Sequence, residues 1–121
     1  MILVTPQTRI LCFTESVDFR KGIDGLVAVC KQRVVDVDPF SGALFLFRNR
    51  SGKSLKGIIY DGQGYWLFMK RLSEGRFRYW PKGFGEETAP TLPLLSRELS
   101  VLLWNGDPGK ALMGSDFRRI A

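Results

Sequence analysis

The chain has 121 residues, 45% hydrophobic and 25% charged, with two cysteines, no histidine and a net charge of +6. A chain of this size builds one core without disulfide staples, so Cys12 and Cys30 read as buried small hydrophobes of a reducing cytoplasm. Without an imidazole, Ser-His-Asp triads, Cys-His nucleophiles, zinc-protease motifs and two-cysteine, two-histidine fingers are excluded.

The N-terminus, Met1 to Arg9, lacks a basic start before an apolar stretch, and no apolar run approaches the ~20 residues of a membrane span. A soluble, cytoplasmic protein with no membrane contact is expected. Residues 8 to 13 read as a short strand. Ser16 or Asp18 then offers an N-cap oxygen, and Phe19, Ile23, Leu26, Val27 and Cys30 recur at the spacing of one buried helical stripe, which predicts a helix from about 18 to 32. Its outer face carries Arg20, Lys21, Asp24 and Lys31, with Arg20 and Asp24 placed to pair at i, i+4. Gly22 and Gly25 inside that span suggest close packing against a neighbour.

Asp38-Pro39-Phe40-Ser41-Gly42 is turn chemistry. Four strands are predicted after it, Ala43 to Arg48, Ser54 to Tyr60, Tyr65 to Leu72 and Arg76 to Trp80. The short turns between them force antiparallel neighbours, a meander. In the last strand Arg76, Arg78 and Trp80 alternate with Phe77 and Tyr79, one wet face and one packed face. The earlier strands are apolar on both parities, so the sheet is covered on both sides or meets another chain. Residues 81 to 93 read as an irregular connection. Ser96 caps a second helix with Leu99, Leu102 and Leu103 buried and Gly106 as its stop. From about 107 a loosely held tail is expected, docked by Phe117. The whole, 1–121, reads as one α+β domain: an N-terminal strand and helix, a four-stranded antiparallel meander, and a C-terminal helix.

The charge is concentrated. Residues 48 to 82 hold nine basic side chains against two acidic ones, +7, whereas the rest of the chain nets −1. The same third carries seven aromatics, and cations interleaved with rings suit phosphates and bases. The plain alternative is that the rings are sheet core and the cations keep exposed turns soluble. Arg48, Arg50, Lys53, Lys56, Lys70, Arg71, Arg76 and Arg78 are the phosphate-contact candidates, with Arg20 and Lys21 extending the surface. Tyr65, Trp66 and Tyr79 are weaker stacking or interface candidates.

Other motifs fail on spacing. Gly52-Lys53-Ser54 matches the end of a P-loop, but Phe47 stands where its first glycine belongs, and a strand follows where a helix is required. Gly62 and Gly64 belong to a hairpin turn. Asp18, Asp24, Asp36, Asp38 and Asp61 are scattered, each with a cap, ion-pair or turn role, so no metal, cofactor or catalytic residue is assigned and the chain reads as a non-enzyme.

A family pattern is visible in Ser16-Val17-Asp18-Phe19-Arg20-Lys21-Gly22-Ile23-Asp24-Gly25-Leu26 and in Asp38-Pro39-Phe40-Ser41-Gly42-Ala43-Leu44-Phe45-Leu46-Phe47-Arg48-Asn49-Arg50. Asp61-Gly62-Gln63-Gly64-Tyr65, Lys70-Arg71-Leu72, Gly75-Arg76-Phe77 and Trp80-Pro81 continue it. Over about residues 9 to 106 the chain closely resembles the accessory protein encoded by the second open reading frame of insertion sequence 66 elements, often called TnpB. The segment from Lys82 to Pro93 and the tail depart from the pattern, and Gly57 stands where a larger apolar residue is expected. The resemblance implies a bacterial mobile-element protein encoded beside a transposase and another small accessory protein. The leading expectation is a non-enzymatic transposition factor that binds DNA. The alternative is a module that docks on the transposase or the other accessory protein, or self-associates as a homo-oligomer, through strand edges and aromatics.

Overall fold

A computed structural model of the chain describes residues 4–81 and 89–107. The tail beyond 107, with Phe117, and Lys82, Gly83 and Gly85 lie outside the described residues. The architecture is α+β. In chain order it comprises β1 (Ile10–Phe13), α1 (Ile23–Arg33), β2 (Leu44–Arg48), β3 (Ser54–Tyr60), β4 (Tyr65–Arg71), β5 (Thr91–Leu94) and α2 (Ser96–Leu103).

One five-stranded sheet runs β4-β3-β2-β1-β5. Three strands of the expected meander are present, since β2, β3 and β4 pair antiparallel through two hairpins. Gly52 and Gly62 turn these hairpins with φ of +75° and +99°, a region where only glycine is free of strain. The strand β1 lies parallel to β2, with Ile10 beside Leu44, because α1 intervenes as a crossover.

The fourth meander strand does not form. Residues 76 to 80 have no ladder partner among the described residues, and the fifth strand is Thr91–Leu94, antiparallel to β1 within the stretch expected to be irregular. Pro93 has no N–H to give to a ladder, but β5 is an edge, where a missing N–H is tolerated. The alternation of 76 to 79 survives: Arg76 and Arg78 are exposed and Phe77 and Tyr79 half-buried. Trp80, expected on the wet face, is instead buried, with its Nε1–H donated to the Phe13 carbonyl at 2.7 Å.

Both faces of the sheet are covered. Leu11, Phe13, Phe45, Phe47 and Ile58 pack against Leu26, Val27 and Cys30 of α1. Ile10, Cys12, Leu44, Leu46 and Leu55 pack against Trp80 and against Leu99 and Leu102 of α2. Phe13 and Phe47 stack with centroids 4.7 Å apart, an arrangement that adds about 1 kcal/mol to the burial of the rings. The unexpected glycine of β3 also finds its reason here. Gly57 faces Phe68 across the β3–β4 ladder, and an added Cβ would lie 2.3 Å from the Phe68 ring, so the aromatic occupies the space that a side chain would fill.

The helix ends differ from the simple expectation. Helix α1 begins at Ile23 with Gly22 as N-cap and no side-chain cap, so Gly22 lies outside the helix and an added Cβ there would meet nothing within 4 Å. Asp18 instead accepts the Arg20 backbone N–H at 2.9 Å and pairs with the Arg20 guanidinium at 2.6 Å, which replaces the expected Arg20–Asp24 pair. At α2, Leu95 rather than Ser96 is the N-cap, and its N–H is taken by Glu98 at 2.8 Å. The helix stops in a Schellman arrangement: Asn105, with φ of 63°, donates to Leu102 O, and Gly106 donates to Val101 O at 2.8 Å.

Candidate nucleic-acid interface

The strand axes define two ends of the molecule. At one end lie the β2–β3 turn, the C-terminus of β4 and the segment 76–80; at the other lie the β3–β4 turn and the loop before β2. The first end is basic. Arg50, Lys53, Arg71, Arg76 and Arg78 are exposed there, and among the described residues the ion pairs Arg20–Asp18 and Arg33–Glu15 leave all five out. The second end holds Asp36, Asp38 and Asp61 beside an aromatic cluster in which Phe40 lies 5.0 Å from Tyr60 and 5.5 Å from Tyr65.

Arg48, Arg50, Arg76 and Arg78 line one cleft of about 230 Å³, floored by Gly52, Phe77 and Trp80. Arg50 also borders a shallower depression with Arg20 and Asp18. Lys53 and Arg71 border a third together with Glu74 of the 72–75 turn. Seven of the ten sequence candidates therefore gather at this end, and Lys21 is exposed near it.

The segment carrying Arg76 and Arg78 is fixed without a ladder. Phe77 N–H donates to Gly52 O at 2.9 Å, which ties it to the β2–β3 turn. Arg78 N–H donates to Asn105 Oδ1 at 2.7 Å, and Asn105 Nδ2 donates to Arg76 O at 3.4 Å, which ties it to the end of α2. The Trp80 indole anchors it to β1. Nothing in the linear sequence singled out Asn105; its only signal is its place just before Gly106 at a helix stop.

Two lysines among the candidates have their ammonium groups on backbone carbonyls. Lys56 is buried, with its ammonium donating to Phe19 O at 2.8 Å and Lys21 O at 3.0 Å and lying 5.0 Å over the Phe19 ring. It holds the turn before α1 onto the sheet. Lys70 donates to Leu103 O and lies 5.3 Å over the Trp104 ring, so its charge sits at the C-terminus of α2, where the helix dipole favours a cation. Arg48 is half-buried and donates from Nη2 to Thr14 O at 3.3 Å, which fixes its guanidinium at the cleft wall.

The stacking candidates are divided. Tyr79 is half-buried beside the basic segment, and burial raises its phenol pKa. Tyr65 and Trp66 begin β4, whereas Arg71 ends it, so they lie roughly 17–20 Å from the basic end at the rise of a strand. Tyr65 packs in the Phe40–Tyr60 cluster, and its hydroxyl, whose pKa is pushed up to about 12 by desolvation, has no hydrogen-bond partner among the described residues. Trp66 is 39% exposed and donates from Nε1 to Asp61 at 2.8 Å.

Among the described residues no group of three His, Cys, Asp or Glu side chains is placed to hold a metal ion. No helix among them is long and apolar enough to cross a membrane.

Comparison with known proteins agrees with the sequence pattern. The family model described as IS66 Orf2 like protein matches residues 8–110. An uncharacterized protein of Sinorhizobium fredii, y4hO, is 44% identical over 98 residues, 81% of this chain and 84% of its own length. A second from the same organism, y4jC, is 40% identical over 73 residues, 60% of this chain and 62% of its own. No solved structure matches significantly. The match spans both helices, all five strands and the basic end, and the chain belongs to the IS66 Orf2-like family of insertion-sequence proteins.

Proposed function

We propose that the protein is a non-enzymatic accessory factor of transposition that binds DNA phosphates with its basic end. The observation that carries this reading is the convergence of Arg48, Arg50, Arg76 and Arg78 on one cleft that no acidic side chain lines among the described residues, with Lys53 and Arg71 beside Glu74 in the neighbouring depression. Guanidinium groups match phosphate oxygens two at a time, and the backbone that carries Arg76 and Arg78 is already tied in place. Asp36, Asp38 and Asp61 lie at the far end, and the cations of the basic end outnumber Asp18 and Glu74 beside them, so its field favours a polyanion. Lys56 and Lys70 take no part, because carbonyl oxygens already hold their ammonium groups.

The test is fluorescence anisotropy of the protein against a duplex of the element's terminal sequence and a scrambled control, with Arg76→Glu/Arg78→Glu alongside. The reading requires binding that the double substitution abolishes. Binding unchanged by the substitution, or no binding by the native protein at low salt, would make the patch a protein-docking or solubility feature.

A further inference from the structure

The two edges of the sheet are unlike. β5 has four residues and contains Pro93, features that blunt an edge against further pairing. β4 has seven residues, Tyr-Trp-Leu-Phe-Met-Lys-Arg, with no proline, and no strand covers its outer side among the described residues. Its pairing with β3 is flanked by hydrogen bonds from Asp61 N–H to Gly64 O and from Leu72 N–H to Lys53 O. In that register Trp66, Phe68 and Lys70 direct their backbone groups at β3, and Tyr65, Leu67, Met69 and Arg71 direct theirs outward. Along this edge Trp66 is 39% and Met69 52% exposed.

We infer that β4 pairs antiparallel with β4 of a second copy of this chain, joining two sheets into one of ten strands. The strand is self-complementary in one register. With Phe68 opposite Phe68, all four outward-facing residues find partners: Leu67 bonds with Met69, and Tyr65 with Arg71. The cations Lys70 and Arg71 then face Trp66 and Tyr65 of the other copy, so no like charges oppose each other. A shift by two residues in either direction leaves outward groups unpaired, and parallel in-register pairing sets Lys70 against Lys70. A second copy is therefore the occupant that this edge fits. Antiparallel pairing also turns the two basic ends away from each other. That consequence rests on the proposed DNA reading; the dimer itself does not.

Sedimentation velocity of the full chain without DNA tests the pairing independently of nucleic-acid binding. The expected species has twice the 13.7 kDa of one chain. Met69→Pro removes an outward N–H and leaves every β3–β4 bond in place, and Trp66→Lys sets like charges opposite Lys70. Both are expected to sediment as single chains with an unchanged circular dichroism spectrum. The register is tested by mixing Trp66→Cys with Lys70→Cys chains, which should form a disulfide-linked dimer that neither forms alone. A single-chain mass for the native protein up to hundreds of micromolar would overturn the inference. So would a dimer that survives both folded variants, or one that the mixed cysteines fail to link.

Discussion

The backbone N–H of Arg78 donates to Oδ1 of Asn105 at 2.7 Å, joining the basic segment to the stop of α2. Asn105 thus has two tasks. Its left-handed backbone ends the helix, and its amide holds Arg76 and Arg78 at the cleft. Asn105→Gly keeps the left-handed position and removes the clamp. DNA affinity in anisotropy titrations is expected to fall several-fold with no change in charge, while thermal stability drops by about 1 kcal/mol, the worth of an ordinary hydrogen bond. Asn105→Ala should destabilise further, by about 1–2 kcal/mol, through strain at positive φ.

Lys56→Met tests whether that lysine serves the fold or the ligand. The substitution leaves the Phe19 and Lys21 carbonyls without their ammonium donor, and about 2–4 kcal/mol of stability is expected to be lost in urea unfolding. The salt dependence of DNA binding by the folded fraction should stay that of the native protein. Arg76→Ala should do the reverse, leaving stability within about 0.5 kcal/mol and weakening binding.

At Gly57 the sheet carries a local lock. Gly57→Ala drives a methyl into the Phe68 ring, and overpacking of this kind costs about 1–3 kcal/mol. Gly57→Ala/Phe68→Leu should recover part of that loss in a double-mutant cycle, because the ring is what the methyl meets.

Burial pushes the thiols of Cys12 and Cys30 up to about 12 from an ordinary 9.0. Both are expected to resist a thiol reagent at pH 8 in the folded protein and to react at once in denaturant. The sign for stability follows from linkage: the unfolded chain releases these protons near pH 9 and the folded chain near 12. Stability is therefore unaffected by them below 9 and falls as pH rises from 9 towards 12. Melting temperatures measured across that interval check it.

Much of the fold is legible in the residues. The glycine turns announce the β2–β3–β4 hairpins, the spacing of Leu26, Val27 and Cys30 announces α1, and strands apolar on both parities announce a sheet covered on both faces. What stays hidden is long-range. Alternation in Arg76 to Trp80 reports which side chains face inward, but cannot report whether a neighbouring strand supplies a ladder, and here Asn105, Gly52 and Phe13 supply single bonds instead. The site is legible as a charge excess and illegible in its membership. A lysine on a carbonyl and a lysine in water look alike in sequence, and only the fold shows that the ammonium groups of Lys56 and Lys70 lie on backbone carbonyls.

Whether the basic end meets phosphate is read from the salt dependence of duplex binding. With Arg50, Lys53, Arg71, Arg76 and Arg78 engaged, log K against log salt should fall with a slope of about −4.5, and Arg76→Ala/Arg78→Ala should bring it to about −2.7. A slope near zero, or one that the double substitution does not change, would contradict the account.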